Sequence, residues 1–115
     1  MATSVLLPLM TEYIFALTTC PTKEADVLAR KLVEARACAC VNIVERVRSI
    51  YRWKDRLEDE QESILLIKSE KRNRKKLWKI IENNHSYDVP EFIVMSVADG
   101  SPDYLRWISG SISTE

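Results

Sequence analysis

Apolar positions along the chain change period several times, and each change marks an element. Tyr13 to Thr19 is a short run of aromatic and branched residues that stops at Cys20-Pro21. It predicts a strand followed by a turn. From Thr22 onward, Ala25, Leu28, Ala29 and Leu32 recur at spacings of three and four, with Asp26, Arg30, Lys31 and Glu34 on the other side. That period predicts an amphipathic helix with Thr22 as its N-cap. Between Ala39 and Trp53 the period falls to two: Val41, Ile43, Val47, Tyr51 and Trp53 hold odd positions, and Asn42, Arg46, Arg48 and Arg52 hold even ones. A long strand is predicted, bent near Glu45-Arg46 where the alternation weakens.

Lys54-Asp55-Arg56 reads as a turn into a second long strand, Leu57 to Ser69, acidic at first (Glu58, Asp59, Glu60, Glu62) and apolar from Ile64. Opposite charges on facing strands favour a hairpin, with the glutamates expected opposite Arg46, Arg48 and Arg52. Lys71 to Lys76 opens a second helix, with Leu77, Ile80 and Ile81 inward and Trp78 expected outward. His85 to Pro90 is a loop, Glu91 to Val97 a fourth strand, and Ser101-Pro102 starts a last helix that Gly110 ends. The order β-α-β-β-α-β plus a helix predicts an α+β, ferredoxin-like sandwich, with a long central hairpin and both crossover helices on one face. The uncovered face and the apolar hairpin tip call for a partner. Residues 12–115 form one domain, and residues 1–11, apolar at Val5, Leu6, Leu7 and Leu9 but broken by Pro8, are expected to be an extension.

Composition narrows the function classes. Seventeen basic residues balance seventeen acidic ones, so no global basic field points to nucleic acid. Two glycines leave no glycine-rich phosphate loop and no sign of an organic cofactor. No apolar run is long enough to span a membrane. Cys20, Cys38 and Cys40 are odd in number and form no CxxC, which predicts reduced thiols and a cytoplasmic setting.

Several segments together resemble the CutA divalent-cation tolerance family. They are Ala39-Cys40-Val41-Asn42, Ser49-Ile50-Tyr51-Arg52-Trp53-Lys54, Leu57-Glu58-Asp59-Glu60 with Leu66-Ile67-Lys68-Ser69, His85-Ser86-Tyr87-Asp88-Val89-Pro90-Glu91, and Tyr104-Leu105-Arg106-Trp107. The resemblance implies a homotrimer of PII-like plan with hairpins exchanged between neighbours, and a link to divalent metals, copper above all. In some members copper binding is attributed to positions that match Thr18, Glu62 and His85 here. Thr18 is not a thiol, so Cys20, two residues on, completes the candidate set of His85, Glu62 and Cys20. Ser86 replaces the family's proline, leaving the backbone at His85 less fixed. Asp55 replaces its turn glycine, which aspartate tolerates in a left-handed conformation.

Residue chemistry sharpens these expectations. A neutral imidazole is a common metal ligand, and His85 is the single histidine. Cys20 lies beside a helix start that lowers a thiol pKa, which makes it the expected reactive or copper(I)-binding thiol. Cys40 is expected as a packing residue on its strand, at a subunit contact or cleft. Tyr51, Trp53, Tyr87, Tyr104 and Trp107 are expected at subunit contacts or clefts. Nothing demands a catalytic set of Cys20 or Cys40 with His85 and a carboxylate, so a binding protein is expected rather than an enzyme. A second reading keeps the trimer and makes it a structural or signalling module that binds a small ligand or partner protein between subunits.

Overall fold

The computed structural model describes residues 12–112, and the segment 1–11 read as an extension lies outside them. Strands β1 (Tyr13–Cys20), β2 (Cys40–Trp53), β3 (Arg56–Glu70) and β4 (Ile93–Ser96) form one sheet in the order β2-β3-β1-β4. All neighbours are antiparallel. Helices α1 (Thr22–Glu34), α2 (Arg74–Asn84) and α3 (Pro102–Ser111) complete the described α+β architecture, with a single 3-10 turn at Lys71–Asn73 ahead of α2.

The helix period read from the sequence is the period of burial. Ala25, Leu28, Ala29 and Leu32 pack on Ile14, Ala16, Leu65 and Ile67, and Leu77 and Ile81 of α2 join the same core. Each leucine so buried contributes about 1.5–3 kcal/mol. Trp78 does not face outward as expected: it is half-buried and stacks on Phe92, centroids 5.5 Å apart. Nor is Thr22 the cap of α1. Pro21 precedes the first helical residue, and Thr22 Oγ1 accepts a hydrogen bond from Ser63 Oγ at 3.1 Å. Proline already holds the φ that a helix entry needs, so the hydroxyl is free to bind the sheet. At the other end Arg36 is left-handed (φ 56°). Its N–H and that of Ala37 donate to Val33 and Leu32 carbonyls at 2.9 and 3.1 Å, closing the helix.

The long hairpin extends the molecule to 58 Å. Its two-residue turn, Lys54 and Asp55, has positive φ at both positions (51° and 64°). That is the primed turn whose twist suits a tight hairpin. Near the base of the hairpin the pairing slips. Val44 faces Ile64, but Val47 faces Glu62, with Arg46 left-handed between them at φ 60°. One extra residue in a strand reverses its alternation from that point on. Val41 and Ile43 therefore face the helices, while Val47, Tyr51 and Trp53 face the other side. The single odd-numbered row of the sequence is split between two faces.

The face away from α1 and α2 is covered only in part. Helix α3 closes one end, where Ile108 and Ile112 pack on Tyr13 and Ala39. Ser109 donates to the buried Glu70 carboxylate and shares a 2.7 Å hydrogen bond with Tyr13 Oη. The rest of that face carries Phe15, Leu17 and Leu66 half-buried, with Val44, Ile93 and Met95 exposed.

Candidate functional site

Beyond the bulge, the hairpin places two kinds of side chain on one face. Val47 opposes Glu62, Ser49 opposes Glu60 and Tyr51 opposes Glu58. Residues directly opposite share a face. The glutamate row therefore lies with the aromatic row, and the expected pairing of these glutamates with arginines is corrected. On the reverse face Arg48 instead holds Asp59 through two bonds of 2.8 and 2.6 Å.

The 85–91 loop is tied over the base of this face. His85 donates its Nε2–H to the Thr19 carbonyl at 2.7 Å, and the Tyr87 N–H donates to His85 Nδ1 at 3.1 Å. Those partners engage both ring nitrogens, Nε2 as donor and Nδ1 as acceptor. The Ser86 N–H donates to Glu24 at 3.3 Å, a tie that proline cannot make, so the serine fixes the loop where the sequence suggested it would loosen it. Tyr87 Oη donates to Glu62 Oε2 at 2.7 Å, and Thr19 Oγ1 donates to Glu91 at 3.1 Å.

Between loop and hairpin lies an open cleft of about 780 Å³. Its charged lining is wholly acidic: Glu58, Glu60, Glu62, Asp88 and Glu91. Tyr51, Trp53 and Tyr87 supply aromatic walls, and among the described residues neither lysine nor arginine lines it. Glu62 is only 4% exposed. The environment opposes further negative charge. Burial, then the Glu62 carboxylate, pushes the Tyr87 phenol above its ordinary value, and desolvation with a hydrogen bond to Glu60 raises Tyr51.

The candidate metal donors do not converge. Thr18 and Cys20 point to the helix side of β1, alternate to Thr19, whereas Glu62 points to the cleft side of β3; Thr18 pairs with Leu65 and Cys20 with Ser63, both off the Glu62 face. His85 has no free nitrogen. Cys20 is fully buried, and burial, then Glu24 and Glu62, pushes its thiol up to about 11. Burial, reinforced by Glu24 in the first turn of α1, thus outweighs the lowering expected from the helix start. Among the described residues no group of three His, Cys, Asp or Glu is placed to hold a metal ion. The residues present do not fit the copper set within one chain.

Other candidates sit elsewhere. Cys40 is half-buried on the open sheet face, its Sγ 4.0 Å from Lys68 Nζ, rather than packed in the core. Tyr104 and Trp107 are exposed on α3, their rings 5.4 Å apart, and do not line the cleft.

Residues 14–111 match the family described as CutA1 divalent ion tolerance protein. The chain belongs to that family. It is 41% identical over 93 residues to the divalent-cation tolerance protein CutA of Thermus thermophilus, covering 80% of this chain and 90% of that one. It is 38% identical over 94 residues to Protein CutA of Mus musculus, covering 81% of this chain. The chain spans about half to three fifths of the mouse, Xenopus laevis and Arabidopsis thaliana relatives (53%, 62% and 54% of their lengths). Among solved structures, the PII-like protein CutA from Nostoc in apo form superposes with a TM-score of 0.84 at 33% identity, covering 89% of this chain and 99% of that one. The resemblance drawn from the sequence is therefore membership of the CutA1 family. Sequence reasoning had not singled out Ser49, Thr19 or Glu91 as cleft residues. Glu91 closes the same motif that begins at His85, and that spacing was the available signal.

Proposed function

We propose that this CutA1-family chain is a homotrimeric, non-enzymatic binding module whose ligand site is the acidic cleft beside the hairpin. The observation that carries the reading is the lining: five carboxylates, three aromatic rings and no basic side chain around about 780 Å³. That volume suits a small organic ligand, and a cleft lined by one sign of charge concentrates ions of the other. The family's link to divalent ions is consistent with such a field, which would hold them loosely and exchangeably. Trimer formation is supported by the half-covered sheet face and by Ile50 and Leu57, exposed along the hairpin.

Two measurements test this. Light scattering on dilute protein should return three chains, and a folded monomer would refute the assembly. Titration of copper(I), copper(II) and zinc should give weak binding that Glu62→Gln reduces and His85→Ala leaves nearly unchanged. Tight copper binding abolished by His85→Ala would establish the histidine-centred metal site in place of this reading.

A further inference from the structure

The cleft has a length as well as a sign. We propose that its ligand is a linear polyamine, an alkyl chain carrying two or more ammonium groups; the proposal rests on the cation-selective reading above. Glu58, Glu60 and Glu62 occupy alternate positions of β3 on one face. Alternate residues of a strand repeat about every 6.7 Å. In 1,4-diaminobutane five single bonds separate the nitrogens, roughly 6 Å in extended zigzag. Ammonium groups at that spacing meet successive carboxylates in register.

The methylenes between them need apolar walls, and Tyr51, Trp53 and Tyr87 line the same cleft. One of these rings already faces an alkylammonium. Lys54 Nζ lies 5.9 Å from the Trp53 centroid, within cation–π range. A compact divalent ion asks for something else: several oxygens converging on one point. Carboxylates strung along an extended strand suit a string of charges better than a single one. Glu62, nearly buried and held by Tyr87, terminates the row at the base of the hairpin, and the more open Glu60 and Glu58 lie toward the tip.

Calorimetric titration of the full-length protein at low salt tests the idea with four probes: spermidine, 1,4-diaminobutane, n-butylamine and magnesium chloride. Butylamine has the chain without the second charge, and magnesium has both charges without the chain. Spermidine should bind tightest, and 1,4-diaminobutane at least about fivefold more tightly than butylamine or magnesium. Glu60→Gln should weaken spermidine about two- to fivefold, the scale of one exposed ion pair. Lys75→Gln, outside the cleft, should not weaken it. Equal affinity for magnesium and 1,4-diaminobutane would overturn the polyamine proposal and leave the cation-selective cleft standing. Binding of none of the cations would overturn both. Parental spermidine affinity in Glu60→Gln would place the ligand off the glutamate row and end the proposal.

Discussion

Replacing Tyr87 with phenylalanine removes one oxygen and keeps the ring. The lost group is the donor of the 2.7 Å hydrogen bond to Glu62, a carboxylate only 4% exposed. A hydrogen bond to a charged group contributes about 1.5–3 kcal/mol. The open cleft lets water replace part of it, so the expected loss is about 2 kcal/mol. Urea unfolding reads it directly. With a slope of about 1–3 kcal/mol/M, the midpoint should fall by roughly 1 M. Parent and variant must be compared at one protein concentration, because the stability of an oligomer depends on it. A double-mutant cycle with Glu62→Gln should give a coupling of at least about 1 kcal/mol. The pH dependence has a definite sign. Burial, then Glu62, raises the Tyr87 phenol, so the folded state holds that proton more firmly than the unfolded chain. The resulting stabilisation is complete below the ordinary tyrosine pKa of about 10 and is lost as pH rises beyond it. The gap between parent and variant should therefore stay constant through neutral pH and narrow above about 10. A loss below about 0.5 kcal/mol at neutral pH, or a gap that widens in alkali, would falsify the assigned hydrogen bond.

Three further outcomes follow from other parts of the molecule. Thr18 Oγ1 is buried and finds no hydrogen-bond partner among the described residues, so Thr18→Val should stabilise the fold by about 1 kcal/mol; destabilisation would reveal a partner for the hydroxyl. Cys20 and Cys38, buried and with thiols pushed to about 11 and about 12, should resist a thiol reagent until denaturant is added in a Cys40→Ser background. Rapid labelling of the folded protein would contradict their burial. Lys54→Asn with Asp55→Gly supplies the residues that two left-handed positions prefer, and should raise the unfolding free energy by about 1–2 kcal/mol. No change in the urea midpoint would mean that the primed turn is not the solution conformation.

Much of the architecture is legible because local periods and tertiary burial agree. The three-and-four spacing from Ala25 to Leu32 is the buried stripe of α1, and Lys54-Asp55 is the turn. Boundaries are less legible. Strand β4 spans only Ile93–Ser96, shorter than its apolar run, because Glu91 turns aside to accept from Thr19 and Phe92 packs on Trp78. Helix α3 runs past Gly110 to Ser111. Among the described residues nothing outside its own helix turn and chain neighbours comes within 4 Å of where a Cβ would sit on Gly110, so no close approach calls for that glycine.

The site was harder to read, and a single inserted residue explains much of the difficulty. The bend expected near Glu45-Arg46 is where the register slips, but carrying the same parity through it puts Val41 and Trp53 on the same side and sets the arginines against the glutamates. The slip between Val44 and Val47 exchanges the faces. From there to the tip, carboxylates and aromatics lie together, and in place of the expected arginine–glutamate contacts the described residues show Arg48 with Asp59 on the reverse face. Among the described residues no ion pair neutralises Glu58, Glu60 or Glu62, as a row of facing arginines would have done. The same alternation separates the metal candidates. Thr18 and Cys20 are two residues apart on β1 and point together into the core, while Glu62 points out of the other face of the sheet. Moving the thiol from position 18 to position 20 leaves it on the same wrong side. A donor set of Glu62 with a thiol at position 18 or 20 therefore fails on strand parity. The groups that do share a face, Glu58, Glu60 and Glu62 with Tyr51, Trp53 and Tyr87, favour an extended cationic ligand over a chelated ion.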